Sequence, residues 1–407
     1  MRRWIDYLRA TLMLCIIGAV LMLGSCTAAR TLLKQAPTDL PRGWTQPTYT
    51  LLPEPLAWQR LEERLYGPLA LQPAVEVLSR SVIDDAALSG TAHLIQWRLR
   101  IGYGAVQRDI DLVALLPLNR ADAPVIISQN FCPNNNVVPL EGVSAPSATG
   151  FDCSGGGFMG GVMTQIFGRY IVKPPLELII ERGYGFAALY PSQFVPDNAQ
   201  AGLRTLSDLF PDDAERPGAL SVWASLFDVA AETIEADGPD RTMIAYGHSR
   251  FGKTALLAGA VSDRIDMVIA HQSGTLGAST LNDGTGESLK AMVDAYPHWA
   301  GPGASHYVED LTSLGVTPAD LLARLFDKPV LLGNARRDVW SDPWGAFKEA
   351  KVAWGAHFPA ASPSDFRPKD GKAYWLRPGT HGVVKEDWPA FLDFIDAQLS
   401  DPGQRPG

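Results

Sequence analysis

Charge and cysteine are what this chain of 407 residues has little of. Only 19% of its residues are Asp, Glu, Lys or Arg, and acids outnumber bases for a net charge of −9. A nucleic-acid binder normally presents a basic face, so that balance argues against nucleic acid as a partner. Four Cys are too few for a miniature fold built on disulfides. There is no HExxH and no cluster of Cys and His, so neither a metal nor a cofactor is expected. Internal repeats, heptad runs and low-complexity tracts are also missing. What is present is an apolar share of 46%, which excludes global disorder and at this length supports a large core.

Long apolar runs are scarce too, and the one at the N-terminus is informative. Arg2, Arg3 and Arg9 precede the run Ala10–Gly24, which leads into Leu23-Gly24-Ser25-Cys26. That is the pattern of a secretory signal over 1–25 with a small-residue cleavage site. Small residues before a Cys also match a bacterial lipobox, in which Cys26 would carry lipid. The run is short of the roughly 20 apolar residues that span a bilayer, so plain secretion and an uncleaved anchor stand behind the lipoprotein reading. The expected location is periplasmic or outer-membrane-attached, with membrane contact only through this N-terminal segment. Export suits the remaining cysteines: with Cys15 in the signal and Cys26 lipidated, Cys132 and Cys153 form an even pair and are expected to be bridged.

Residues 26–50, rich in Pro, Thr and Gln, read as a flexible tether, and 51–402 as one catalytic domain, expected to be monomeric. Short apolar runs alternate there with helix-period segments, the signature of an α/β fold with a mostly parallel sheet covered on both faces. Strands are predicted at 112–116, 125–128, 185–190, 242–246, 267–271, 329–333 and 373–377. Helices are predicted at 218–236, 250–260, 317–326, 343–354 and 385–399. Two irregular stretches, 129–170 and 275–316, interrupt the rhythm and read as functional loops. Gly155 to Gly160 fits the dinucleotide glycine pattern but follows no strand, so it reads as loop.

The predicted strand 242–246 runs into Gly247-His248-Ser249-Arg250-Phe251-Gly252-Lys253 and then a helix, the setting of a nucleophile elbow. Ser249 is the candidate nucleophile, and the amide of Arg250 at the helix start can donate to an oxyanion. The second Gly falls three residues after Ser249 rather than two. A serine nucleophile needs a base and the base an orienting acid. His381 lies in an irregular loop after the last predicted strand and is the candidate base. Asp338 follows the strand at 329–333 and is the candidate acid. Asp342, four residues on, is the alternative acid, although its place before Pro343 also suits a helix N-cap. His248 and His271 read as structural, and His298 and Trp299 as pocket wall or loop core.

Over roughly residues 60–400 the chain resembles the glucuronoyl esterases, carbohydrate esterase family fifteen. The likeness rests on Asn130-Phe131, the run from Arg182 to Gly185, Pro196-Asp197, Gly218-Ala219 with Trp223, and the shifted-glycine elbow from Gly247 to Lys253. It continues through Asp263-Arg264-Ile265, Ser273-Gly274, Pro297-His298-Trp299, the run from Trp340 to Pro343, His381-Gly382 and Asp387-Trp388. The resemblance implies an α/β-hydrolase that cleaves esters between glucuronic acid on xylan and alcohols of lignin, without a metal. It implies Ser249 as nucleophile, His381 as base and Arg250 as an oxyanion group. It further implies Lys253 and Glu287 as sugar contacts, with Trp340 packing on the sugar ring. Some members carry the acid 23 residues after the nucleophile, where this chain has Gln272, whose amide cannot balance an imidazolium. A usual aromatic beside Trp299 is replaced by Ala300. The expected substrate is therefore a uronic-acid-bearing carbohydrate ester. A carbohydrate deacetylase or general carboxylesterase on the same fold, and a catalytically silent glycan-binding lipoprotein, are the alternatives.

Overall fold

Strands with both faces buried read in sequence as unbroken apolar runs, and here such runs build the centre of the sheet. The structure, a computed structural model, describes residues 35–400 apart from 48, 105, 147–152, 154–167, 213–215 and 282–285. The segment read as a signal, Cys26 and the glycine-rich run from Gly155 to Gly160 lie outside the described residues. One nine-stranded sheet runs through the described chain. Its strands are β1 (Ala74–Ala86), β2 (Ala92–Tyr103), β3 (Val106–Pro117), β4 (Val125–Gln129), β5 (Gly185–Leu189), β6 (Met243–His248), β7 (Met267–His271), β8 (Val330–Ala335) and β9 (Lys372–Arg377). Their spatial order is β1-β2-β3-β5-β4-β6-β7-β8-β9. Pairing is parallel from β5 through β4 to β9 and antiparallel among β1, β2, β3 and β5. This is an α/β-hydrolase fold.

The helices are α1 (Glu54–Leu61), α2 (Leu176–Glu181), α3 (Ala199–Leu209), α4 (Ala219–Ala236), α5 (Arg250–Val261), α6 (Leu289–Ala295), α7 (Pro318–Ala323), α8 (Pro343–Trp354) and α9 (Asp387–Leu399). Strand pleating sends alternate side chains to two separate cores. Val125 and Ile127 of β4 join the core beneath α4, α5, α7 and α8, while Ile126 joins the one beneath α2 and α9. Each helix cluster covers one face, and because strands β4 to β9 are parallel their carboxyl ends share one edge where the following loops gather. In open α/β sheets that carboxyl edge is where ligands bind.

Two findings depart from the sequence reading. The hairpin β1–β2 went unread. Gln96, Arg98 and Arg100 alternate with the buried Trp97, Leu99 and Ile101, a half-buried strand whose polar face carries ion pairs across to Asp109 and Asp111 of β3. The stretch read as a tether is docked from residue 36 on. The N–H of Ala36 donates to the Arg336 carbonyl at 2.8 Å, the Tyr49 hydroxyl to Asp320 at 2.7 Å, and Trp44 meets Trp344 edge-on at 5.9 Å. Backbone bonds and two aromatics hold it, features that a polar composition conceals. The irregular stretch 275–316 carries α6 and a short 3-10 turn at Pro302–Tyr307.

Candidate active site

Ser249 sits between β6 and α5 with φ +58° and ψ −121°, a backbone that a side chain rarely adopts. The turn is forced by packing. A Cβ on Gly247 would lie 1.9 Å from the carbonyl oxygen of Phe251, so only glycine lets the strand approach the new helix. Gly252, the shifted glycine, packs against strand β7 instead: a Cβ there would meet the His271 carbonyl oxygen at 3.0 Å. The Ser249 N–H donates to that same carbonyl at 2.8 Å, fixing the elbow to its neighbour strand. The first N–H groups of α5 have no partner within the helix, and that of Arg250 leads them. Gln272, Leu276 and Asp342 also have positive φ, so four of the six such non-glycine residues among the described ones follow strands β6, β7 and β8. Strain of this kind collects at functional sites.

The loop after β9 brings His381 to the same edge, and the loop after β8 brings Asp338. His381 Nδ1 donates to Asp338 Oδ2 at 2.7 Å, which leaves Nε2 as the ring's outer nitrogen. Asp338 is buried, and its Oδ1 accepts from the N–H groups of Trp340 at 3.0 Å and Ser341 at 3.1 Å. Burial pushes this carboxyl up, but the His381 imidazole and the hydrogen bonds outweigh burial and hold it below the usual carboxylate value. Ser341 Oγ lies 3.2 Å from His381 Nδ1 and donates to the Gln272 carbonyl at 2.9 Å. The imidazole packs 4.7 Å, centroid to centroid, from the ring of His248, the residue before Ser249. Ser249, His381 and Asp338 thus converge at one edge from three different loops.

Arg250 is gripped beside them. Its Nη1 donates to Asp197 Oδ2, and its guanidinium lies 4.7 Å from the Trp299 ring centre and 5.1 Å from that of Phe131. Burial draws its pKa down to about 10, which still leaves it charged at neutral pH. Asp197 also accepts from Trp299 Nε1 at 2.9 Å and from His298 Nε2 at 3.2 Å. His298 and Trp299 are therefore buried props for the arginine cage. One helical turn on, Lys253 is buried and its Nζ donates to the Ser273 carbonyl; burial lowers its pKa to about 8, with the nearby Glu287 opposing the shift. Half-buried Glu287 faces both cations, and its N–H donates to the Trp340 carbonyl at 3.1 Å. Trp340 is 38% exposed and meets the His381 ring edge-on at 5.9 Å, an open aromatic face beside the candidate base rather than core.

The alternative acid Asp342 is engaged at the start of α8. Its carboxylate caps α8 by accepting from the Gly345 N–H at 2.9 Å and also accepts from the Thr280 hydroxyl at 2.9 Å. His248 and His271 are buried with Nδ1 atoms 3.1 Å apart, and burial lowers both well below their ordinary value, so they are neutral structural groups. Cys132 and Cys153 are bridged, with Cα atoms 5.7 Å apart, which ties the chain just after Phe131 to a point 21 residues on. Sequence reasoning gave no role to Asp197 or Ser341, because Arg250 and Trp299 in the first case, and Gln272 and His381 in the second, lie on remote segments. The Pro196-Asp197 pair was visible as a motif but carried no chemistry until Arg250 and Trp299 closed on it.

Comparison with known proteins follows the same lines. The profile described as glucuronyl esterase of fungi matches residues 180–356. A carbohydrate esterase, MZ0003, from an unknown prokaryotic organism is 26% identical over 84% of this chain and 83% of its own length. Among solved structures, a glucuronoyl esterase from Solibacter usitatus is 25% identical, with a TM-score of 0.69 over 89% of this chain and 97% of that one. A promiscuous esterase of carbohydrate esterase family fifteen from a marine bacterial metagenome shares the fold. It has a TM-score of 0.71 and 24% identity, covering 87% of this chain and 98% of that one.

Proposed function

Because the chain belongs to the glucuronoyl esterase family of carbohydrate esterases, which are carboxylic ester hydrolases, we propose that it cleaves 4-O-methyl-glucuronoyl esters joining glucuronoxylan to lignin alcohols. The mechanism is an acyl-enzyme route through Ser249, His381 and Asp338. The observation that carries it is the buried Asp338–His381 hydrogen bond at 2.7 Å, set at the strand edge that holds the strained Ser249. Ser249 Oγ attacks the ester carbonyl while His381 Nε2 takes its proton. The Arg250 amide and guanidinium hold the oxyanion. Collapse expels the alcohol, which receives the proton from His381. Water, deprotonated by the same imidazole, then cleaves the glucuronoyl-Ser249 ester. Trp340 offers an exposed ring face for the sugar, and Lys253 and Glu287 line its polar side.

The test is hydrolysis of methyl or benzyl glucuronate beside an acetylated sugar, with Ser249→Ala as control. Turnover of the glucuronate ester, reduced at least about 10³-fold in the variant, supports the proposal. Turnover of the acetyl sugar alone assigns the sugar to the leaving side and refutes the glucuronoyl reading. Export with lipid on Cys26 completes the proposal. It is supported by the pattern over residues 1–26 and by a disulfide suited to an oxidising compartment. Cys26→Ala should then move the protein from the membrane fraction to the soluble one.

A further inference from the structure

Gln272 follows strand β7 beside the loop that carries His381, and its side chain is fully engaged there. It leaves strand β7 with φ +51° and is 1% exposed, so its amide is aimed inward. Oε1 accepts from the Gly382 N–H at 2.8 Å, and Nε2 points to the Thr380 carbonyl at 3.4 Å. These are the two residues on either side of His381. The main-chain carbonyl of Gln272 accepts from Ser341 Oγ, the hydroxyl that touches His381 Nδ1. Its own N–H donates to the Gly333 carbonyl of β8 at 2.7 Å, which ties it to the strand leading to Asp338. Arg377 grips the same loop through the carbonyls of Pro378, Thr380 and Gly382, and a guanidinium only donates, so Gln272 supplies the acceptor for a loop N–H that Arg377 cannot serve.

We propose that Gln272 is a positioning residue that clamps the peptide flanking His381 and so holds the imidazole in line between Asp338 and Ser249. An amide can do both halves of this task, accepting on one side and donating on the other, whereas a carboxylate only accepts. The proposal rests on His381 being the general base.

The test is steady-state kinetics on methyl glucuronate with Gln272→Met, Gln272→Asn and Gln272→Glu, each checked for folding by circular dichroism. Met keeps the volume without the hydrogen bonds, and Asn keeps the amide but falls short by one methylene. Both should lower kcat about 10- to 100-fold, the scale of a misplaced catalytic group, with KM within about threefold. Gln272→Glu keeps the acceptor for Gly382 but loses the donor to Thr380, so its kcat should fall between that of Gln272→Met and that of the parent. A folded Met or Asn variant with kcat within about twofold of the parent overturns the proposal; if one does not fold, the other decides. His381→Ala is measured beside them. Retained turnover there refutes the base assignment itself, whereas its loss alongside an unimpaired Gln272 variant refutes only the clamp.

Discussion

Replacing Asp338 by Asn should remove most activity while leaving the fold in place, and the structure dictates why. Oδ1 faces two N–H donors, from Trp340 and Ser341, so an amide NH2 cannot occupy that side without opposing both. The NH2 is therefore turned toward His381 Nδ1, which now lies 2.7 Å from an acceptor. A donor at that place forces Nδ1 to present its lone pair and puts the ring proton on Nε2, the wrong tautomer for a base. The corresponding change in a serine protease lowers kcat by about 10⁴, equal to about 5.4 kcal/mol of barrier at 1.36 kcal/mol per decade. Asp342→Asn is the matched control. Asn caps helices as well as Asp, and the Thr280 hydroxyl can rotate to accept, so kcat should stay within about fivefold. The assay is initial-rate hydrolysis of methyl glucuronate at neutral pH on protein checked by thermal melting. A larger loss in Asp342→Asn, or a folded Asp338→Asn within about tenfold of the parent, refutes the assignment. Linkage gives a second readout. The native carboxyl lies below its ordinary value near 3.9, so it stabilises the fold above that pH and the benefit is lost as pH falls through the lowered native value. The Asn variant should lack that part of the acid-induced loss.

Gly247→Ala should yield inactive or unfolded protein, since its Cβ would sit 1.9 Å from the Phe251 carbonyl; Gly252→Ala, at 3.0 Å, should fold with about 1–3 kcal/mol lost in denaturant melts. Equal behaviour of the two would sink the account of the shifted glycine. Lys253, drawn to about 8 by burial, sheds its charge in mild alkali, so the kcat/KM profile should show an alkaline limb near pH 8 that Lys253→Met abolishes. Glu349 on α8 is pushed to about 7 by burial. It takes up a proton on folding between its ordinary value near 4.3 and that point, so stability falls as pH rises through this window. Glu349→Gln, which still accepts from the Ala319 N–H at 3.0 Å, should raise Tm at pH 8 and barely change it at pH 4.

By itself the sequence determined the parallel centre of the sheet and the elbow. Runs such as Val125 to Ile127 and Met267 to Ala270 are apolar because both faces are buried, and that needs no knowledge of their neighbours. Gly247, Ser249 and the following helix are local, so their meaning was readable within a dozen residues. The order of Ser249, Asp338 and His381 along the chain was also visible, since each follows a strand. Strand β1, with nearly every side chain exposed, gave no burial pattern to read, while the alternation in β2 was present and passed over. Tertiary structure alone decided what the polar groups do. It separated Asp338 from Asp342, four residues apart, by turning one toward His381 and the other onto a helix end. It joined Arg250 to Asp197, 53 positions away, and Gln272 to Gly382, 110 positions away. A hydrogen bond is specific over about 3 Å in space, and position along the chain carries no record of which distant segments a fold will bring within that reach.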